Sequence, residues 1–97
     1  MSAKGAKMVL RLYIAGHSPN SVVALANLDW LRRAHFQDAT VDIVDILREP
    51  ERAMADRVIT APALFKVAPS PPRMLLGNLS DATKVLQGLG LTAHGAL

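Results

Sequence analysis

The sequence contains no cysteine. That absence excludes disulfides, thiolate nucleophiles and cysteine-type zinc sites together. Aromatic residues are scarce, with one tryptophan, one tyrosine and two phenylalanines, so the core is expected to be aliphatic. No apolar run approaches the ~18 residues that a membrane-spanning helix requires. Basic clustering is also missing. The 11 Lys and Arg residues behind the net charge of +3 are scattered, and no aromatics interleave them, so nucleic-acid binding is not expected. The three histidines, His17, His35 and His94, show no metal-ligand spacing, and no metal or cofactor is expected. Met1 to Lys7 is small and basic and lacks the apolar stretch of a signal peptide. It reads as a flexible N-terminus of a cytoplasmic protein.

What is present is enough for one core. Half of the 97 residues are apolar (51%), which suits one domain and leaves no room for two. Met8 to Ile14 alternates as a strand, with Leu10, Leu12 and Ile14 on one face and Val9, Arg11 and Tyr13 on the other. Ser18-Pro19 then reads as an N-cap followed by proline at the first helical position. The helix is expected to run to about Ala34, with Ala24, Leu25, Leu28 and Leu31 as its apolar stripe. Thr40 to Leu47 is a second strand. Glu49-Pro50-Glu51 opens a short helix carrying Ala53, Met54 and Val58. Ala63 to Val67 is a third strand, and Ala68-Pro69-Ser70-Pro71-Pro72 is a connection that cannot be helix interior. Met74 to Leu76 is a short strand turned by Gly77-Asn78. A last helix follows, with Ser80 as its cap, Val85, Leu86 and Leu89 packing it, and Gly88 and Gly90 weakening its end.

The order is β-α-β-α-β-β-α. Strands joined through a helix should be parallel, and the last two, joined by a short loop, antiparallel. That is a thioredoxin-like α/β domain with a mixed four-stranded sheet. A proline opening the third strand, as Pro62 does, is often cis in that arrangement. A redox enzyme of this size would keep cysteines in the turn Ala15-Gly16-His17-Ser18, and here there are none. The turn points to binding rather than catalysis. His17 reads as an exposed loop histidine before it reads as a ligand. Asp42, Asp45, Asp56 and Asp81 are not expected to share a cleft, and Asp45, in an apolar strand, needs a partner, from Tyr13 or an arginine. Val23 and Trp30 lie seven residues apart on the side of the helix opposite its stripe. Trp30 is either covered by another subunit, offered to a partner, or packed on its own helix's arginines.

The ordered blocks Leu10-Arg11-Leu12-Tyr13-Ile14-Ala15-Gly16, Ser18-Pro19-Asn20-Ser21-Val22, Val44-Asp45-Ile46-Leu47, Glu49-Pro50, Ala61-Pro62-Ala63-Leu64, Gly77-Asn78-Leu79-Ser80 and Lys84-Val85-Leu86 resemble the KaiB family of clock proteins. The resemblance covers about Met8 to Leu91, with residues 92–97 as a flexible tail. It implies a non-enzymatic adaptor that binds the ATPase ring of a KaiC-type autokinase. In cyanobacteria the bound adaptor captures KaiA and displaces the histidine kinase SasA, so KaiA or a SasA-like kinase is a further implied partner. It also implies two forms: a thioredoxin-like monomer that binds KaiC, and a ground state, often tetrameric, with a rearranged C-terminal half. A dimer or tetramer is therefore expected in the free state. Arg57 matches a basic position that faces KaiC in the family; its bland alternative is a solvated helix end. Val23, Trp30, Arg57 and Arg73 are the expected partner-binding residues. Pro62, Pro71, Pro72, Gly88 and Gly90 are the expected fold-switch positions.

The sequence departs from the family pattern at several of these places. Val23 stands where a basic residue is common, Asn78 where Asp is common, and Gly88-Leu89-Gly90-Leu91 where the family often has Gly-Leu-Asp-Leu; the segment after it is neutral rather than acidic. These changes lead to the expectation that the chain rests in the thioredoxin-like form more than its relatives do. A sensor-like interaction module related to the input domain of SasA, acting in stress signalling with another partner, is the alternative function. The sequence carries no kinase segment, which counts against that alternative for the whole protein.

Overall fold

Seven elements follow one another in the computed structural model, which describes residues 7–91: β1 (Val9–Ile14), α1 (Pro19–His35), β2 (Thr40–Asp45), α2 (Pro50–Ala55), β3 (Ala63–Ala68), β4 (Arg73–Leu76) and α3 (Ala82–Gly88). The expected flexible ends lie outside the described residues, Lys7 apart. The sheet order is β2-β1-β3-β4. β1 and β2 pair in parallel from Val9↔Thr40 to Ile14↔Asp45. β3 runs antiparallel to both β1 and β4, with Leu64 opposite Leu12 and Leu75. The mixed four-stranded sheet expected from the element order is therefore the observed one.

Strand alternation sorts the interior into two layers. Leu10, Leu12, Ile14 and Leu64 point to one face, where Ala24, Leu28 and Leu31 of α1 and Val85 and Leu89 around α3 cover them. Tyr13, Val44 and Ala63 point to the other face, with Ala53 of α2 and the half-buried Val58, Phe65 and Met74. Three peptide bonds, Ala61-Pro62, Ala68-Pro69 and Ser70-Pro71, are cis. The first is the one anticipated; its Pro62 is buried, and its carbonyl accepts the Gly77 N–H at 3.0 Å.

Several local expectations are corrected. Val58 lies outside α2, which ends at Ala55. The Arg57 and Val58 N–H groups donate to the carbonyls of Met54 and Ala53, and Arg57 sits at φ +60°. This is the paired-bond helix stop that ordinarily takes glycine at its left-handed position. α3 closes in the same way, with Gly90 at φ +80° and the Leu91 N–H on the Leu86 carbonyl at 2.7 Å. Gly90 thus terminates the helix cleanly rather than weakening it. Gly88 is a packing glycine: a Cβ there would stand 2.4 Å from Leu75 Cδ2, so its absence lets α3 lie close against β4. Asp81, not Ser80, caps α3, its Oδ1 accepting the Lys84 N–H at 3.1 Å. Ser18 occupies the N-cap of α1 without capping it by its side chain. Its hydroxyl instead donates to Ser21 Oγ (2.8 Å), which accepts the Ala15 N–H (3.0 Å).

Candidate protein-interaction surface

The turn between β1 and α1 carries a bare scaffold. Gly16 takes φ +54°, His17 is exposed, and no cluster of three metal-ligating side chains occurs among the described residues. Asp45 closes this end of the sheet. Its Oδ1 accepts the Gly16 N–H and the Leu47 N–H, both at 3.0 Å. The partner is backbone, not Tyr13 or an arginine, because the carboxylate lies where β2 ends and the chain turns back past Gly16.

These two amide bonds hold the Asp45 pKa below its ordinary value, the Leu47 bond most strongly. A folded-state pKa below the unfolded one adds stability that is complete above the ordinary carboxylate value of about 4 and drains away as pH falls through the lowered one. Asp45→Asn keeps an acceptor but cannot titrate. It is expected to flatten the acid-side loss of stability, measured as denaturation midpoints at a series of pH values below about 5. An unchanged acid slope would contradict this.

The opposite face of the sheet holds a charged network that also corrects the sequence reading. Asp42 and Asp56 do meet, on Arg11. Arg11 Nη1 lies 2.7 Å from Asp56 Oδ2, and its Nε lies 3.5 Å from Asp42 Oδ2. That Nε is buried with no hydrogen bond of its own. The Tyr13 hydroxyl is shared between the Asp56 carboxylate and the Arg52 carbonyl oxygen (3.1 Å). Arg52 pairs with Asp42 and reaches Glu49 Oε1 at 3.3 Å. Burial first, then the Asp56 bond, push the Tyr13 pKa up, so the phenol stays a donor. The Asp56 hydrogen bond likewise raises Arg11, and the Asp42 bond raises Arg52. The signal was present in the sequence: Arg11 and Tyr13 share a strand face, and Arg52 and Asp56 stand four apart on one helical side. What the sequence could not supply was the β1–β2 register that sets Asp42 opposite Arg11.

The four expected contact residues do not form one patch. Val23 and Trp30 (54% exposed) lie on the outer side of α1. The Trp30 ring meets His35 edge-on, 5.9 Å between centroids, rather than packing on the helix's arginines; Arg33 is engaged with Asp29 instead (2.8 Å). Arg57 is exposed at the end of α2, on the other side of the sheet. Arg73 is exposed on β4, an edge strand. The β2–α2–β3 connection that carries Arg57 also presents three exposed apolar side chains: Leu47 (70% exposed), Ile59 (94%) and Met54 (76%), which the sequence had placed on the short helix with Ala53. Arg52 of α2 and its C-cap Asp56 tie to the sheet, while Met54 of the same helix is exposed. No helix among the described residues is long and apolar enough to cross a membrane.

Comparison with known proteins agrees with this geometry. Residues 11–91 match the KaiB domain. The circadian clock oscillator protein KaiB of Acaryochloris marina is 41% identical over 92 residues, covering 94% of this chain and 88% of that protein. The protein of the same name from Synechococcus elongatus is 43% identical over 84 residues, covering 86% and 82%. Among solved structures, the N-terminal domain of Synechococcus elongatus SasA superposes with a TM-score of 0.71 at 21% identity, covering 87% of this chain and 84% of that one. Mitochondrial thioredoxin 3 of Saccharomyces cerevisiae reaches 0.72 at 15% identity, covering 87% and 77%. These structures share the fold, and the cysteine-free turn separates this chain from thioredoxin chemistry. With the family domain matched across most of its length and relatives above 40% identity, the chain belongs to the KaiB family.

Proposed function

We propose that this protein is a non-enzymatic clock or timer adaptor that binds a KaiC-type ATPase ring and regulates its phosphorylation or output. The observation that carries the reading is the family match over residues 11–91, on a thioredoxin-like fold whose turn has no cysteine. The β2–α2–β3 connection, which carries Arg57 and the exposed Leu47, Met54 and Ile59, is the docking face for the ring. Arg73, exposed on the β4 edge, is a separate contact residue. Val23 and Trp30, on the far side, serve self-association into a dimer or tetramer, or capture of a second partner such as KaiA or a SasA-like kinase. The phosphorylation state of the host's KaiC homologue, followed over hours with and without this protein, tests the proposal. A changed time course is expected; identical time courses at saturating protein would contradict it. The likeness to the SasA domain favours one second reading, an interaction module working with another partner.

The thioredoxin-like form is also proposed as the resting form of this chain. Two features support it: Gly90 meets the left-handed position that closes α3, and Gly88 admits the close approach of Leu75. An aspartate at position 90 would sit less comfortably at φ +80°. Backbone chemical shifts of the free protein should report helix over residues 82–88. Strand shifts there would refute the proposal.

A further inference from the structure

α2 is only six residues long, too short to hold its shape on propensity alone. Its apolar anchorage is thin: Ala53 is the helix's only buried residue. Yet its flank carries the proposed docking residues, so something must fix its pose. The charged network is placed to do so. Among the described residues, every side-chain tie found between α2 and the sheet runs through four contacts: Arg11 to Asp56, Tyr13 to Asp56, Tyr13 to the Arg52 carbonyl and Arg52 to Asp42. They grip the C-terminal part of the segment, Arg52 in its last turn and Asp56 at its C-cap. The donors and acceptors on the sheet side come from two strands, Arg11 and Tyr13 from β1 and Asp42 from β2. The helix is therefore fixed in rotation as well as in distance. Asp56 immediately precedes Arg57, so the carboxylate that binds Tyr13 and Arg11 also sets the left-handed residue from which the Arg57 side chain departs.

We propose that Tyr13, Arg11, Asp42, Arg52 and Asp56 act as positioning residues for partner binding: they touch no partner, but hold α2 and Arg57 in the pose the partner reads. This rests on the reading of the α2 flank as the docking face. Tyr13→Phe removes the hydroxyl from both α2 contacts and keeps the ring in the core. Hydrogen exchange of the free protein is measured for this variant and for Val85→Ala, which weakens the α3 side of the core instead. Binding of both to the host's KaiC homologue is measured in parallel.

Tyr13→Phe is expected to speed exchange of the α2 amides about tenfold relative to those of β1 and β3, the size set by loss of a bond to a charged group. Ring binding is expected to weaken by a similar factor. Val85→Ala should show no such preference for α2. If α2 exchange in Tyr13→Phe rises no more than that of β1 and β3, the network does not position the helix and the inference is overturned. If α2 exchange rises selectively while ring affinity is unchanged, its link to binding is overturned. If the wild-type protein itself does not bind the ring, the docking reading fails separately, and the exchange result still decides what the network does to α2.

Discussion

Leu64→Ala is expected to destabilise the protein by about 3–5 kcal/mol, in the range found when a fully enclosed leucine is truncated and the cavity cannot close. Leu64 has no exposed surface and is the second residue of β3, opposite Leu12 on one side and Leu75 on the other. Its side chain enters the layer that α1 and α3 cover. Neighbours on three elements would have to move together to fill the space, and packed strands on both sides resist that. A domain of this size has about 5–15 kcal/mol in total, so the loss is a large fraction of its stability. Guanidinium denaturation should show a much lower midpoint with an unchanged slope. A loss below about 1 kcal/mol would mean that β3 is not the enclosed strand described here.

Arg57→Gly is expected to move stability and binding in opposite directions. Arg57 occupies the left-handed position of the α2 stop, at φ +60°, where a side chain costs roughly 1–2 kcal/mol and glycine nothing sterically. Glycine's greater freedom in the unfolded chain offsets part of that gain, so the net stabilisation is about 0.5–1 kcal/mol. If Arg57 is a docking contact, removing an arginine from the centre of an interface costs roughly tenfold or more in affinity. Arg57→Asn, which also tolerates this backbone and lacks the charge, should behave alike. Thermal denaturation and ring-binding titration of both variants check the pair of effects. Higher stability with undiminished affinity would return Arg57 to the role of a solvated helix end.

The elements with strong local patterns were legible in the sequence. The alternation of Leu10, Leu12 and Ile14 against Arg11 and Tyr13 places the two sheet faces correctly, and Ala24, Leu28 and Leu31 are the buried stripe of α1. Pro62 opens β3 through a cis bond as anticipated. What was not legible depends on register or on backbone angles. The meeting of Asp42 with Arg11 needs the parallel pairing of β1 and β2. The backbone partners of Asp45 exist only once the β1–α1 turn folds beside Leu47. Arg57 gives no sign of a left-handed residue because nothing in an arginine favours one, and Gly90 looks like a weak point until the helix stop around it is seen. The docking face was half legible. Arg57 came from family resemblance, whereas Leu47, Met54 and Ile59 pass for core residues until their exposure is known.

The most direct test of the adaptor reading is size-exclusion chromatography of this protein mixed with its host's KaiC homologue, in ATP and in ADP, sampled over hours. The account predicts a co-eluting complex under at least one nucleotide, weakened by Arg57→Gly. Two folded proteins that stay apart under both nucleotides at all times would contradict it, and would mean that this member of the family has turned its α2 face to another partner.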